Sequence, residues 1–235
     1  MIIEDNIMIW NNKYNYLSST KALFNGYRHY DINNEKLPSV TSIIEKTKTE
    51  EEKASLKLWR ERIGEAAAQK ISKDAASRGG AMHKYIELFL KNKLNGDLIE
   101  EDNKPKKMAE IIIENGLKGK VQEIWGVEAT LYYPGKYAGS ADTICIYNGI
   151  PSILDYKQSN KLRKPEWNIN YMTQISAYVL AHNTVYQSKI TQGVVLLCTV
   201  DNLFQNFKIE GDKLIEYQKK FLEKVKQYYE QKFNK

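Results

Sequence analysis

Tyr137-Ala-Gly-Ser-Ala-Asp-Thr-Ile-Cys-Ile-Tyr-Asn-Gly-Ile-Pro-Ser-Ile-Leu-Asp-Tyr-Lys157 holds two apolar, β-branched and aromatic runs on either side of Asn148-Gly149. Asn-Gly is the strongest short-range signal for a two-residue hairpin turn, because both positions tolerate positive φ. The reading is therefore two antiparallel strands, Tyr137–Tyr147 and residues 150–156. Pairing of 142–147 with 150–155 brings Asp142 close to Asp155. Strand side chains alternate with period two, so Asp155 and Lys157 point the same way. Two carboxylates on adjacent strands make a hard-oxygen site suited to Mg²⁺ or Mn²⁺. Lys157 beside them has two available roles: stabilising charge that develops on a phosphate, or orienting and helping to deprotonate a water. An apolar run leads into Asp155, and a charge at the end of a buried strand needs a compensating purpose.

Outward from this hairpin the texture changes on each side. Upstream, Val121–Tyr133 reads as a preceding strand, on which Glu128 is placed to complete a metal shell. Downstream come a basic loop at 161–166, a helix over 167–183 with Ile169, Met172, Ile175 and Val179 on one face, strands at 193–200 and 204–209, and an amphipathic helix over 212–233. Nearer the N-terminus, Asn25-Gly26 and Asn33-Asn34 bracket short strands such as Tyr27–Ile32. Ser39 or Thr41 caps the first helix of a helical region over residues 39–94, which Gly64 and Gly79-Gly80 are expected to break. In that region Leu56, Trp59, Ile63 and Ala67 recur at helical spacing, and 82–90 forms a further helix. Residues 95–105 read as a polar turn, and 108–117 as a helix closed by Asn115-Gly116. The order is a mainly helical part, residues 1–117, covering the site, and a β-β-β-α-β-β-α core, residues 118–235, within one domain: an α/β fold on a mixed central sheet.

Other residues carry possible chemistry. His83 follows Ser77-Arg-Gly-Gly-Ala-Met, whose glycines permit close backbone approach. It is either a satisfied structural histidine or a metal or phosphate contact, and Arg78 beside it has the fork to hold a phosphate. Gln174 and Tyr178 share a helix face and suit a phosphate or sugar of the scissile strand, unless Tyr178 is core. Lys161, Arg163 and Lys164 directly follow the Asp-x-Lys strand. With Trp167 and Tyr171 they could track a single strand by charge and stacking.

The bulk numbers agree with such a partner. Net charge is +6 and the pI near 9.0, a balance that favours a polyanion. Hydrophobic content of 42% and charged content of 27% describe a folded globular chain. Cys145 and Cys198 both sit in apolar runs and read as reduced, buried thiols. Two cysteines exclude a four-cysteine zinc or iron–sulfur site. No Gly-x-x-x-x-Gly-Lys-[Ser/Thr] loop is present, which excludes a P-loop motor. Neither a secretory signal, an import peptide nor a membrane span is legible, so a cytoplasmic location in a bacterial cell or phage-infected host is expected.

In order, Ser77-Arg-Gly-Gly-Ala-Met-His83, Glu128, Tyr137-Ala-Gly-Ser-Ala-Asp142, Ile153-Leu-Asp-Tyr-Lys157 and Gln174-x-x-x-Tyr178 resemble the RecB-like branch of the PD-(D/E)XK nucleases. Within it they are most similar to the mitochondrial genome maintenance exonucleases and their phage and bacterial relatives. Leu37-Pro-Ser-Val-Thr-Ser-Ile-Ile44 and Trp59-Arg-Glu-Arg62 also look like that group. The Pro-Asp pair that names the class is replaced here by Ala141-Asp142. The resemblance implies a restriction-endonuclease-like sheet flanked by helices and metal-dependent phosphodiester hydrolysis at free ends of single-stranded DNA. Its biological setting would be replication, recombination or repair, with partner proteins of those processes. It also implies that Asp142 and Asp155 are metal carboxylates, Lys157 the catalytic lysine, His83 and Glu128 further metal-site residues, and Gln174 and Tyr178 the last motif. Two alternatives stay open: a structure-specific endonuclease of the same chemistry, and a DNA-binding module with a silent site.

Overall fold

The computed structural model describes residues 8–94 and 103–233. Its central sheet has six strands in the order β1 (Ile9–Trp10), β5 (Val121–Tyr133), β6 (Tyr137–Tyr147), β7 (Ile150–Ser159), β8 (Gln192–Thr199) and β9 (Phe204–Glu210). β5, β6 and β7 form an antiparallel meander, β7 and β8 run parallel, and β9 closes the edge antiparallel to β8. Parallel neighbours need a crossover, and α5 (Ile169–Tyr186) supplies it between β7 and β8. The sheet is therefore mixed, as the alternation of elements predicts. β1 pairs parallel with β5 through two residues; a two-residue strand has no periodicity by which to be recognised.

Helices cover both faces. On one face α1 (Val40–Lys46), α5 and α6 (Gly211–Phe233) bury Ile43, Ile175, Val179, Phe221 and Val225 against Ile144, Ile153 and Val195. On the other, α3 (Glu65–Leu90) and α4 (Lys104–Ile112) bury Met82, Ile86, Met108 and Ile112 against Cys145, Leu154 and Val194. Both cysteines are free and buried. A sheet apolar on both faces demands two such layers, which explains the near-continuous apolar run of β8. A three-stranded antiparallel sheet, β2 (Thr20–Phe24), β3 (Tyr27–Ile32) and β4 (Glu35–Pro38), packs Tyr30, Ile32 and Leu37 on Tyr132 and Ala138. Among the described residues, no helix is long and apolar enough to cross a membrane.

Several expectations need correction. Gly79-Gly80 does not break the helix: α3 runs unbroken from Glu65 to Leu90. A Cβ on Gly79 would make ordinary contact with Gln158 Cγ of β7 at 3.5 Å, and one on Gly80 would meet open space. Gly64 does separate two helices, α2 (Glu50–Ile63) and α3, with a φ of 85°. The helical spacing of Leu56, Trp59 and Ile63 does fall on one helix, α2, while Ala67 lies beyond Gly64 on α3. α2 has no buried residue, and it is Ala68 rather than Ala67 that is covered. α2 holds its form by local means: a Thr49–Glu52 capping box and three acids in its first turn. Asn115-Gly116 does not end a helix by turning. Both lie inside a π turn, Ile113–Leu117, and a Cβ on Gly116 would meet Leu196 Cδ1 at 2.8 Å. α4 begins at Lys104, inside the expected polar turn, with Pro105 in its first turn where a missing N–H costs nothing; the rest of that turn, residues 95–102, lies outside the described residues. Ser39, not Thr41, is the N-cap of α1, accepting from Ser42 N at 3.0 Å.

Candidate active site

The β6–β7 hairpin has the register its turn requires, with Tyr147 opposite Ile150 and Thr143 opposite Leu154. Asn148 and Gly149 both have positive φ, 49° and 79°. One step beyond Leu154 the register sets Asp155 against Asp142, and there the ladder stops. Asp142 Oδ2 instead accepts a hydrogen bond from Tyr156 N at 2.7 Å, taking the place of a strand partner. The two carboxylates thus meet where β6 and β7 part, at the buried end of the sheet.

Around this pair the predicted residues converge. Lys157 Nζ lies 2.6 Å from Asp155 Oδ2. Gln174 Nε2, one helical turn into α5, donates to Asp155 Oδ1 at 3.2 Å and reaches Tyr178 Oη at 3.1 Å. From α3, His83 Nδ1 comes within 3.3 Å of Asp142 Oδ2. Glu128, on β5, stands across from Asp142 between the pairs Val127–Thr143 and Ala129–Ala141. His83, Glu128 and Asp142 each offer one ligand atom, and these atoms all lie within 4.8 Å of one another.

The electrostatics follow from burial and mutual charge. Burial pushes Asp155 up, Lys157 opposes and Asp142 assists, and the result is about 6. Burial alone would also raise Asp142, but His83 and Lys157 outweigh it and hold this carboxyl below its ordinary value. Burial disfavours charge on His83, yet Asp142 overcomes that and lifts the imidazole to about 9. Lys157 is raised because Asp155 and Asp142 more than offset its burial. Glu128 is raised by burial and by Asp142. The site is thus three carboxyls balanced by one imidazolium and one ammonium, a balance that a divalent cation could take over from His83.

The donor set fits such a cation. Carboxylate oxygens suit Mg²⁺ and Mn²⁺, while the imidazole of His83 is a donor that suits transition metals rather than Mg²⁺. Asp155 Oδ2 is fully buried and, apart from its ion pair with Lys157, receives no aligned hydrogen bond. A carboxylate oxygen can accept more than one partner, so beside Lys157 this one keeps capacity for a cation.

The basic residues take less uniform places. Arg78 is committed to β7: its guanidinium donates to Gln158 Oε1 at 2.8 and 2.9 Å and to Asn160 Oδ1 at 2.8 Å. These are neutral acceptors, so its charge is retained. Arg163 donates to Asn168 Oδ1 and Trp167 O and stacks 4.9 Å from the Tyr171 centroid, whose ring also lies 5.2 Å from Lys157 Nζ. Lys161 and Lys164 are exposed, and Trp167 is 54% exposed beside Lys164. Of these, Lys161, Arg163, Trp167 and Tyr171 line a cleft of about 390 Å³ that also takes in Gln158 and Asn160. A second groove of about 1570 Å³, lined by Leu56, Trp59 and Arg62 of α2, shares Arg163 with it.

Two features escaped the sequence. Glu128 has a φ of 55°, which no pattern in a strand announces for a residue bearing a Cβ. Ser140 donates to that same residue, to its carbonyl at 3.2 Å and to Oε2 at 3.1 Å. Its place two residues before Asp142 was the only available signal.

No family model matches the chain. It is 24% identical over 209 residues to mitochondrial genome maintenance exonuclease 1 of Homo sapiens, covering 84% of this chain and 60% of that protein. The protein of the same name from Mus musculus is 24% identical over 211 residues, with the same coverage. The chain thus spans about 60% of the length of these relatives. Among solved structures, one described as the crystal structure of SSO0001 aligns at 14% identity and a TM-score of 0.32, over 72% of this chain and 69% of that one. The distant likeness to two exonucleases supports a nuclease-like relationship.

Proposed function

We propose that this chain is a metal-dependent DNA exonuclease of the PD-(D/E)XK class, a single nuclease domain acting on ends of single-stranded DNA. The observation that carries this reading is the meeting of Asp142, Asp155 and Lys157 at the parting of β6 and β7, with His83 and Glu128 facing them. The names of the two relatives point the same way.

In this reading His83, Glu128, Asp142 and Asp155 hold Mg²⁺ or Mn²⁺, which when bound supplies Lewis acidity and an acidified water. Gln174 fixes Asp155 by its amide, and Tyr178 fixes Gln174. Lys157 keeps its proton at neutral pH and presents a positive charge where the phosphate oxygens gain negative charge. His83 gives up its proton when it becomes a ligand. The cleft of Lys161, Arg163, Trp167 and Tyr171, with exposed Lys164 beside Trp167, receives the strand, the exposed cations meeting phosphates and Trp167 offering a ring to a base. The fractional charge cost of three carboxyls beside a polyanion is met by the metal and Lys157.

A linear single strand labelled at either end and a circular single strand test this together. An end-dependent enzyme degrades the linear strand and spares the circle. Nicking of the circle would transfer the same site to an endonuclease, and metal-independent binding without cleavage would leave a DNA-binding module.

A further inference from the structure

We propose that Ser140 is a positioning residue: it holds Glu128 in a left-handed backbone conformation so that the carboxylate faces His83 and Asp142. The inference rests on the metal-site reading above and extends it to a residue outside the predicted set.

In a regular strand Glu128 would pair with Asp142 and follow the pleat. Its neighbours do: Val127 pairs with Thr143 and Ala129 with Ala141. Glu128 does not, because its φ is 55°. That conformation sets Cβ against the backbone and is rare in a residue that is neither glycine, asparagine nor aspartate. It persists only where the surroundings over-determine it.

Two restraints meet there. Ser140 Oγ shares one hydroxyl proton between Glu128 O at 3.2 Å and Glu128 Oε2 at 3.1 Å, so a single side chain grips both the turned peptide and the carboxylate. Upstream, the ladder slips between Ile124 and Gly126, and Tyr16 closes on that slip. A Cβ on Gly126 would lie 2.7 Å from Tyr16 Cε2. The Tyr16 contact sets where β5 departs from the regular pleat, and the Ser140 contact sets where Glu128 points. Ser140 takes Glu128 Oε2, and the carboxylate so held offers an oxygen within 4.8 Å of the His83 and Asp142 ligand atoms.

The test is Mn²⁺ binding alone, by calorimetry on the full chain, with melting in EDTA as the fold control. Ser140→Ala is expected to weaken Mn²⁺ binding by about 10–100-fold, as loss of an orienting partner does at other metal sites. Ser140→Thr, which keeps the donor, should bind within about threefold of wild type. In a Glu128→Ala background, Ser140→Ala should cause no further loss, because the residue it positions is gone. Glu128→Gly should melt above Glu128→Ala in EDTA, since glycine adopts positive φ without penalty. If the alanine chain melts too low to titrate, Ser140→Cys keeps the volume with a weak donor and should show the same loss. Wild-type affinity in Ser140→Ala, or an equal loss in the Glu128→Ala background, overturns the positioning role and leaves the metal site standing. No Mn²⁺ binding by the wild type overturns both.

Discussion

Gly139→Ala is a one-carbon change with a calculable consequence. Gly139 does not need positive φ, so the backbone accepts alanine. The side chain does not fit: its Cβ would lie 2.6 Å from Tyr178 Cε1, 3.2 Å from Tyr178 Oη and 3.3 Å from Cζ. Carbon atoms in contact sit at roughly 3.5–4.0 Å, so the ring must retreat by about 1 Å. Tyr178 is 3% exposed and packs in the core of that face, so it has no open side to move into. Overpacking of this kind costs about 1–3 kcal/mol. For a chain of this size each kcal/mol lowers Tm by about 2–4 °C. The same displacement moves Tyr178 Oη away from Gln174, which loosens the amide on Asp155 Oδ1. A misplacement of about 1 Å at a reacting centre is worth up to ~100-fold in rate. The assay is thermal melting in EDTA beside the cleavage rate at saturating Mn²⁺, with Tyr178→Phe as a control that removes the hydroxyl and keeps the ring. Gly139→Ala should lose both stability and rate, and Tyr178→Phe chiefly rate. Unchanged melting and unchanged rate in Gly139→Ala would refute the packing argument and the Tyr178–Gln174–Asp155 relay with it.

Four other outcomes are expected. Lys157→Met should lose at least ~100-fold in cleavage, on the scale of removing one charge-stabilising donor, yet keep Mn²⁺ binding by calorimetry, because the cation it removes competes with metal for Asp155. Mn²⁺ affinity should rise as pH increases from about 6 to about 9, since Asp155 at about 6 and His83 at about 9 must release protons to ligate. Calorimetry in buffers of different ionisation enthalpy should show that release, and a flat pH profile would contradict it. Conversely, His83's folded value lies above its ordinary one. Its contribution to metal-free stability is therefore complete below about 6.5 and lost as pH rises through about 9, which melting in EDTA across that window measures. Lys161→Ala with Lys164→Ala should flatten the salt dependence of single-strand binding by about 1.4 in log–log slope, at about 0.7 per phosphate contact. An unchanged slope would place the strand elsewhere.

The candidate site's geometry was legible because it hangs on hairpin register. Asn148-Gly149 sets the pairing as far as Thr143–Leu154, and one further step brings Asp142 to Asp155, with Lys157 two residues on. That arithmetic needs no tertiary knowledge. His83 and Glu128 were joined to the pair by the family resemblance rather than by register, because their meeting depends on how α3 lies across β7 and on a backbone turn at Glu128. The turn glycines Gly26, Gly64 and Gly149 read correctly, with positive φ, whereas Gly79-Gly80 and Gly116 did not act as stops. Gly116 is a place where two elements come close, and sequence alone does not separate a glycine needed for φ from one needed for space. The spacing of Leu56, Trp59 and Ile63 correctly marks a helix, but periodicity does not report what covers its face. α2 leaves Leu58 65% exposed and lines an open groove instead.

The most direct measurement is cleavage of one linear single-stranded DNA by wild type and Lys157→Ala, each with Mg²⁺, Mn²⁺ or EDTA, both chains first shown to melt alike. The account predicts loss of the strand only for wild type and only with metal. Cleavage that persists in EDTA, or in well-folded Lys157→Ala at the wild-type rate, would contradict it.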